Sequence, residues 1–89
     1  MKLVLNKCYG CFSVGDEAMR ALCLNSPFEA DRYDAKLIAL VEINAKFTSG
    51  EYSALYVVEI PDEITDYHII ATEGYESIIY VLDGKLHWA

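Results

Sequence analysis

The sequence has 89 residues, of which 54% are hydrophobic and 24% charged, a balance that excludes an intrinsically disordered chain. Fourteen acidic and seven basic residues give a formal net charge of −7, which repels phosphate backbones and disfavours direct nucleic-acid binding. The length allows one core, so we expect a single domain over residues 1–89, with no secretory leader, no membrane-spanning segment and a cytoplasmic location.

The N-terminal half predicts one strand and two helices. The apolar run Leu3–Leu5 indicates a strand, and a loop rich in small residues follows it. The first helix has apolar residues at helical spacing and begins after either Ser13 or Gly15, both of which are permitted cap residues. Asp34 is the expected cap of a second helix over about residues 35–45.

The C-terminal half predicts four strands separated by turn residues. These strands cover about residues 54–60, 67–72, 77–82 and 85–88. Asp83-Gly84 between the last two runs is the strongest hairpin signal in the chain. The sequence therefore predicts an α+β fold in the order β-α-α-β-β-β-β, with two helices packed on one face of a mostly antiparallel sheet.

The loop from Asn6 to Gly15 is the segment that most suggests a ligand site. A turn that contains glycine and leads into a helix N-terminus presents backbone N–H groups to phosphates or carboxylates. Lys7 adds a positive charge, and the rings of Tyr9 and Phe12 offer faces for stacking. The segment lacks the full pattern of a phosphate-binding loop, so a purely structural turn is an equal alternative.

The three cysteines allow two further hypotheses. Cys8 and Cys11 form a CxxC between a strand and a helix, as in thioredoxin-like redox motifs. With Cys23 and either His68 or His87 they supply enough ligands for a zinc ion. The simpler interpretation is three reduced thiols, buried or in loops.

Two segments resemble the signatures of a set of short phage and prophage proteins. Residues 6–12 read N-K-C-Y-G-C-F, similar to N-x-C-Y-G-G-F in that set. Residues 49–62 read S-G-E-Y-S-A-L-Y-V-V-E-I-P-D, similar to S-G-x-Y-A-x-L-x-V-V-E-I-P-D. Cys11 stands where the pattern has a second glycine, which weakens the redox interpretation.

The resemblance implies a phage protein, and small acidic phage proteins often act by binding host machinery. We expect no cofactor. Our first hypothesis is an anti-defence protein that sequesters a nucleotide-derived immune signal. We expect it to be non-catalytic in preference to an enzyme, and to form a homo-oligomer. The alternatives are an acidic inhibitor of a host protein, which includes a nucleic-acid mimic, and a small CxxC redox or metal protein. The predicted ligand-binding residues are Asn6, Lys7, Tyr9, Gly10, Phe12, Ser13, Arg32 and Trp88.

Overall fold

Two helices and five strands follow one another in the predicted order, which confirms the α+β class. A computed structural model describes residues 1–89. Its elements are β1 (Lys2–Asn6), α1 (Asp16–Ala21), α2 (Ala35–Thr48), β2 (Leu55–Glu59), β3 (Asp66–Thr72), β4 (Tyr75–Leu82) and β5 (Lys85–Trp88). No helix is both long and apolar enough to cross a membrane.

The strands are all antiparallel but divide into two sheets, where the sequence suggested one. β1 pairs with β2, and β3, β4 and β5 form a separate meander. On the outer edge of β1, the Val4 amide donates to the Arg32 carbonyl at 2.9 Å. The Asn6 amide on the same edge donates to the Glu76 carboxylate at 2.9 Å. Two main-chain amides of this edge are therefore paired outside any β-ladder, one of them with a side chain of β4.

The β1–β2 sheet is buried on both faces because its side chains alternate between two cores. On one face, Val4 and Leu55 pack against Leu37 and Val41 of α2, and Ala18 joins this core from α1. The helices therefore lie on one side of this sheet, as predicted. The opposite face packs against the three-stranded sheet through a second core, formed by Leu3, Leu5, Val58, Ile60 and Ile78.

Local sequence signals determine the hairpin turns and the start of α2. Glu73-Gly74 and Asp83-Gly84 each have positive φ at both positions, as two-residue type I′ turns require. The Asp34 carboxylate accepts a hydrogen bond from the Lys36 amide at 2.8 Å, so Asp34 is the N-cap of α2. The helix continues past the expected end to Thr48, with a kink at Asn44.

The start of α1 shows which of the two expected residues is its N-cap. Gly15 is the N-cap and has no capping side chain. Ser13 instead lies in the preceding segment, where its carbonyl accepts from the Gly50 amide at 3.0 Å. This contact joins the loop before α1 to the loop after α2.

Candidate functional site

The loop before α1 lines an open cleft of about 620 Å³. A single chain forms this cleft from three segments, which follow β1, α1 and α2. Its lining residues are Tyr9, Gly10, Cys11, Ser13, Val14, Gly15, Asp16, Pro27, Phe28, Gly50, Glu51 and Tyr52.

Asn6 holds the base of the loop in place. Its side chain is fully buried, and Nδ2 donates to the carbonyls of Cys8 at 3.0 Å and Gly74 at 2.9 Å. Its Oδ1 accepts from the Ala54 amide at 2.9 Å. These bonds use both N–H donors and the carbonyl oxygen of the Asn6 side chain. Asn6 therefore positions the loop and does not line the cleft.

Close backbone approach explains why Gly10 occupies the middle of the loop. A Cβ on Gly10 would lie 2.2 Å from the carbonyl oxygen of Tyr52. A Cβ on Gly74, in the turn between β3 and β4, would lie 1.4 Å from the carbonyl oxygen of Gly10. The Gly10 backbone is therefore packed between the Tyr52 segment and the hairpin turn.

The loop carries hydrogen-bond donors that the protein itself does not use. None of the backbone amides of residues 8–13 donates to a protein acceptor. Ser13 is only 6% exposed, its hydroxyl makes no hydrogen bond within the chain, and the residue lines the cleft. Polar groups in such positions are normally satisfied by water or a ligand.

Three exposed aromatic rings border the cleft. Tyr9 is 69% exposed, Tyr52 68% and Phe28 64%. Tyr9 also contacts Tyr75, with ring centroids 5.2 Å apart. Sequence reasoning did not assign Phe28 or Tyr52 to the site; the available signal was a large aromatic residue beside the turn residues Pro27 and Gly50.

The charged groups of the cleft are acidic. Asp16 and Glu51 line it, and no lysine or arginine does. The predicted cation Lys7 instead has its ammonium 4.8 Å from the Tyr56 ring centroid and 5.0 Å from that of Tyr75. These cation–π contacts hold the Lys7 charge against the protein's own rings.

Arg32 and Phe12 contact each other and residues of the protein interior. The Arg32 guanidinium makes a bidentate pair with the buried Glu76 carboxylate, at 3.2 and 2.9 Å. It also lies 4.8 Å from the centroid of the Phe12 ring, which packs against the first core. Both residues support the loop from the side of the core, and neither lines the cleft.

Trp88 lies in the edge strand β5, 64% exposed, and does not line the cleft. Of the eight predicted site residues, the structure places Tyr9, Gly10 and Ser13 in the cleft. It places Asn6, Lys7, Phe12 and Arg32 around the loop as supporting residues.

The cysteines lie away from the start of α1 and from other metal-binding side chains. α1 begins at Asp16, so its N-terminus does not meet Cys11 in the way that activates a thioredoxin-like thiolate. No three His, Cys, Asp or Glu side chains are grouped as metal ligands. Cys11 and Cys23 are exposed free thiols, and Cys8 is half-buried.

The cleft thus combines aromatic walls, unpaired donors and two carboxylates, an arrangement suited to holding a planar ligand. Comparison with protein-family models, with curated proteins and with solved structures gave no match to this chain.

Proposed function

We propose that this is a non-catalytic phage-type binding protein that acts in the host cytoplasm by sequestering a small nucleotide-derived immune signal in the cleft. The main observation in support is that one cleft contains three exposed aromatic rings and a loop whose backbone amides have no hydrogen-bond partner within the protein.

The dimensions and chemistry of the cleft support a nucleoside-sized ligand. About 620 Å³ lies within the usual range of small-molecule sites, roughly 300–1,000 Å³. Tyr9, Tyr52 and Phe28 offer faces on which a base can stack. The amides of Tyr9, Gly10, Cys11 and Ser13, which line the cleft, and the Ser13 hydroxyl can donate to ring nitrogens or carbonyl oxygens.

Calorimetry and thermal-shift measurements against nucleosides, cyclic dinucleotides and ADP-ribose derivatives test the proposal. We expect at least one ligand to bind, and Tyr52→Ala to weaken that binding by about tenfold through loss of stacking. The matched control is Trp88→Ala, which removes an equally exposed ring outside the cleft. A folded protein that binds nothing in the panel would refute the proposal.

A second candidate function is inhibition of a basic host protein. It is favoured by the acidic lining of the cleft, Asp16 and Glu51, and by the net charge of −7. In that case a basic protein is retained by the immobilised chain, and its affinity falls steeply as salt rises because charge attraction is screened.

The proposal also includes a homo-oligomer. One face of the three-stranded sheet, here called the open face, points away from the second core. By strand register it carries the apolar residues Ile70, Ile79, Val81, Leu86 and Trp88. Leu86 is 61% exposed and Trp88 64%, so this face supports association of two copies.

A further inference from the structure

We infer that the cleft selects a positively charged, nitrogen-rich ring and leaves any phosphate of its ligand outside. This inference rests on the proposed function and specifies the chemical class of the ligand.

The first support is the charge of the cleft. Its two ionisable carboxylates, Asp16 and Glu51, are both exposed, and no basic side chain lines the cleft with them. A phosphate placed here meets two like charges, whereas a cation meets two opposite charges.

The second support is how the chain pairs its own cations with its aromatic rings. Lys7 lies over the rings of Tyr56 and Tyr75, and Arg32 lies over Phe12. The cleft rings of Tyr52 and Phe28 have no such cation from the chain. Aromatic faces attract cations, so a cationic ring gains from stacking on them.

The third support is independent of charge and concerns the floor of the cleft. Ser13 is 6% exposed, and its hydroxyl has no hydrogen-bond partner within the chain. The neighbouring amides of Gly10 and Cys11, which also line the cleft, are likewise unpaired. These groups donate to acceptors, so the ligand carries a ring nitrogen or a carbonyl oxygen in addition to its positive charge.

Three adenine derivatives that differ in charge but share one ring system test the inference. They are 1-methyladenosine, which is cationic at neutral pH, neutral adenosine, and anionic adenosine 5′-monophosphate. By calorimetry at one pH and one ionic strength, we expect 1-methyladenosine to bind about tenfold more tightly than adenosine. We expect the monophosphate to bind about fivefold more weakly than adenosine, because the two carboxylates repel its phosphate even when the phosphate stays outside the cleft.

The double variant Asp16→Asn, Glu51→Gln tests whether the two carboxylates cause this order. It should reduce the preference for 1-methyladenosine over adenosine from about tenfold to about threefold, the part that the aromatic rings supply. The matched control is Glu63→Gln, which neutralises an exposed acid outside the cleft and should leave the order unchanged. Circular dichroism establishes that each variant is folded.

The possible outcomes separate this inference from the proposed function. If adenosine binds but the cation binds no more tightly, the inference is overturned and the proposed function stands. Tighter binding of the monophosphate also overturns it, and points to a phosphate site. If none of the three ligands binds, the inference is again overturned, and the wider nucleotide panel decides the proposed function.

Discussion

The buried ion pair between Arg32 and Glu76 is the residue-level contact on which the site most depends. Its carboxylate also accepts the Asn6 amide, so one side chain joins β1, the segment before α2 and β4. We expect Glu76→Ala to lower the free energy of unfolding by about 2–4 kcal/mol, because it leaves a guanidinium and a buried amide without their acceptor. Urea denaturation measures this loss.

A surface ion pair provides the control for that measurement. Lys2 and Glu42 lie 3.0 Å apart, with both side chains more than two-fifths exposed. The Glu42 hydrogen bond and charge raise the pKa of Lys2. We expect Glu42→Ala to leave the free energy of unfolding nearly unchanged, because exposed ion pairs contribute little to stability. Equal losses for the two variants would contradict a structural role for the Arg32–Glu76 pair.

Tyr33 makes stability depend on pH in the alkaline range. Its hydroxyl is 2.9 Å from that of Tyr67, and partial burial together with this hydrogen bond raises the pKa of Tyr33 to about 12. In the unfolded chain the pKa returns to the ordinary 10.0. The unfolded state therefore loses its proton first, and stability that is fully present below pH 10 falls as the pH rises toward 12.

Phenolate absorbance during an alkaline titration measures this shift. We expect a late ionisation step at about pH 12, from the raised pKa of Tyr33, and Tyr33→Phe to remove that late step. Tyr67→Phe should lower the pKa of Tyr33 by removing the hydrogen bond. The contradicting result is an unchanged late step in Tyr33→Phe. Because Tyr33 is 42% exposed, solvent screening keeps the accompanying change in stability small.

At the scale of elements, the turn between β3 and β4 fixes the position of the site loop. Gly74 and Gly84 occupy the same position in two similar turns, with φ of +89° and +75°. The space around them differs, because Gly74 touches Gly10 whereas a Cβ added to Gly84 would meet no atom within 4 Å. The two glycines therefore form a matched pair for substitution.

We expect Gly84→Ala to cost about 1 kcal/mol, the strain of a left-handed alanine. Gly74→Ala carries the same strain and also pushes the turn away from the Gly10 loop, which should cost about 1–3 kcal/mol more. Thermal or urea unfolding of both variants measures the difference. Similar losses would show that the hairpin turn does not support the loop.

Elements governed by local chemistry could be predicted from the sequence, and those governed by distant contacts could not. Asp34 and the Asp83-Gly84 turn act on their immediate neighbours, and both predictions are confirmed. The division into two sheets depends on what satisfies the outer edge of β1. Those partners, the Arg32 carbonyl and the Glu76 carboxylate, lie far along the chain.

The same distinction applies to the candidate site. Tyr9, Gly10 and Ser13 were predicted because a glycine turn before a helix is a local pattern, and all three line the cleft. Phe28 and Tyr52 reach it from other segments, which only the folded chain brings together. The partners that hold Lys7 and Arg32 away from the cleft are likewise remote in sequence.

At the scale of the whole molecule, the apolar open face and the net charge of −7 act in opposite directions on self-association. Burial of Leu86 and Trp88 favours a homodimer, while two like-charged copies repel each other. Salt screens the repulsion and leaves hydrophobic burial intact. We therefore expect dimerisation to strengthen as ionic strength rises, the opposite of the salt dependence expected for a basic partner.

Light scattering across a salt series tests this prediction. The double variant Leu86→Lys, Trp88→Lys should remain monomeric at every salt concentration, because its charges make burial of the open face costly. Ile43→Lys is the control, since Ile43 is 82% exposed on α2 and lies outside the open face. If wild type stays monomeric at high salt, or if Ile43→Lys alone abolishes the dimer, the open face is not the interface. Since one chain forms the whole cleft, ligand binding should persist in the monomeric variant.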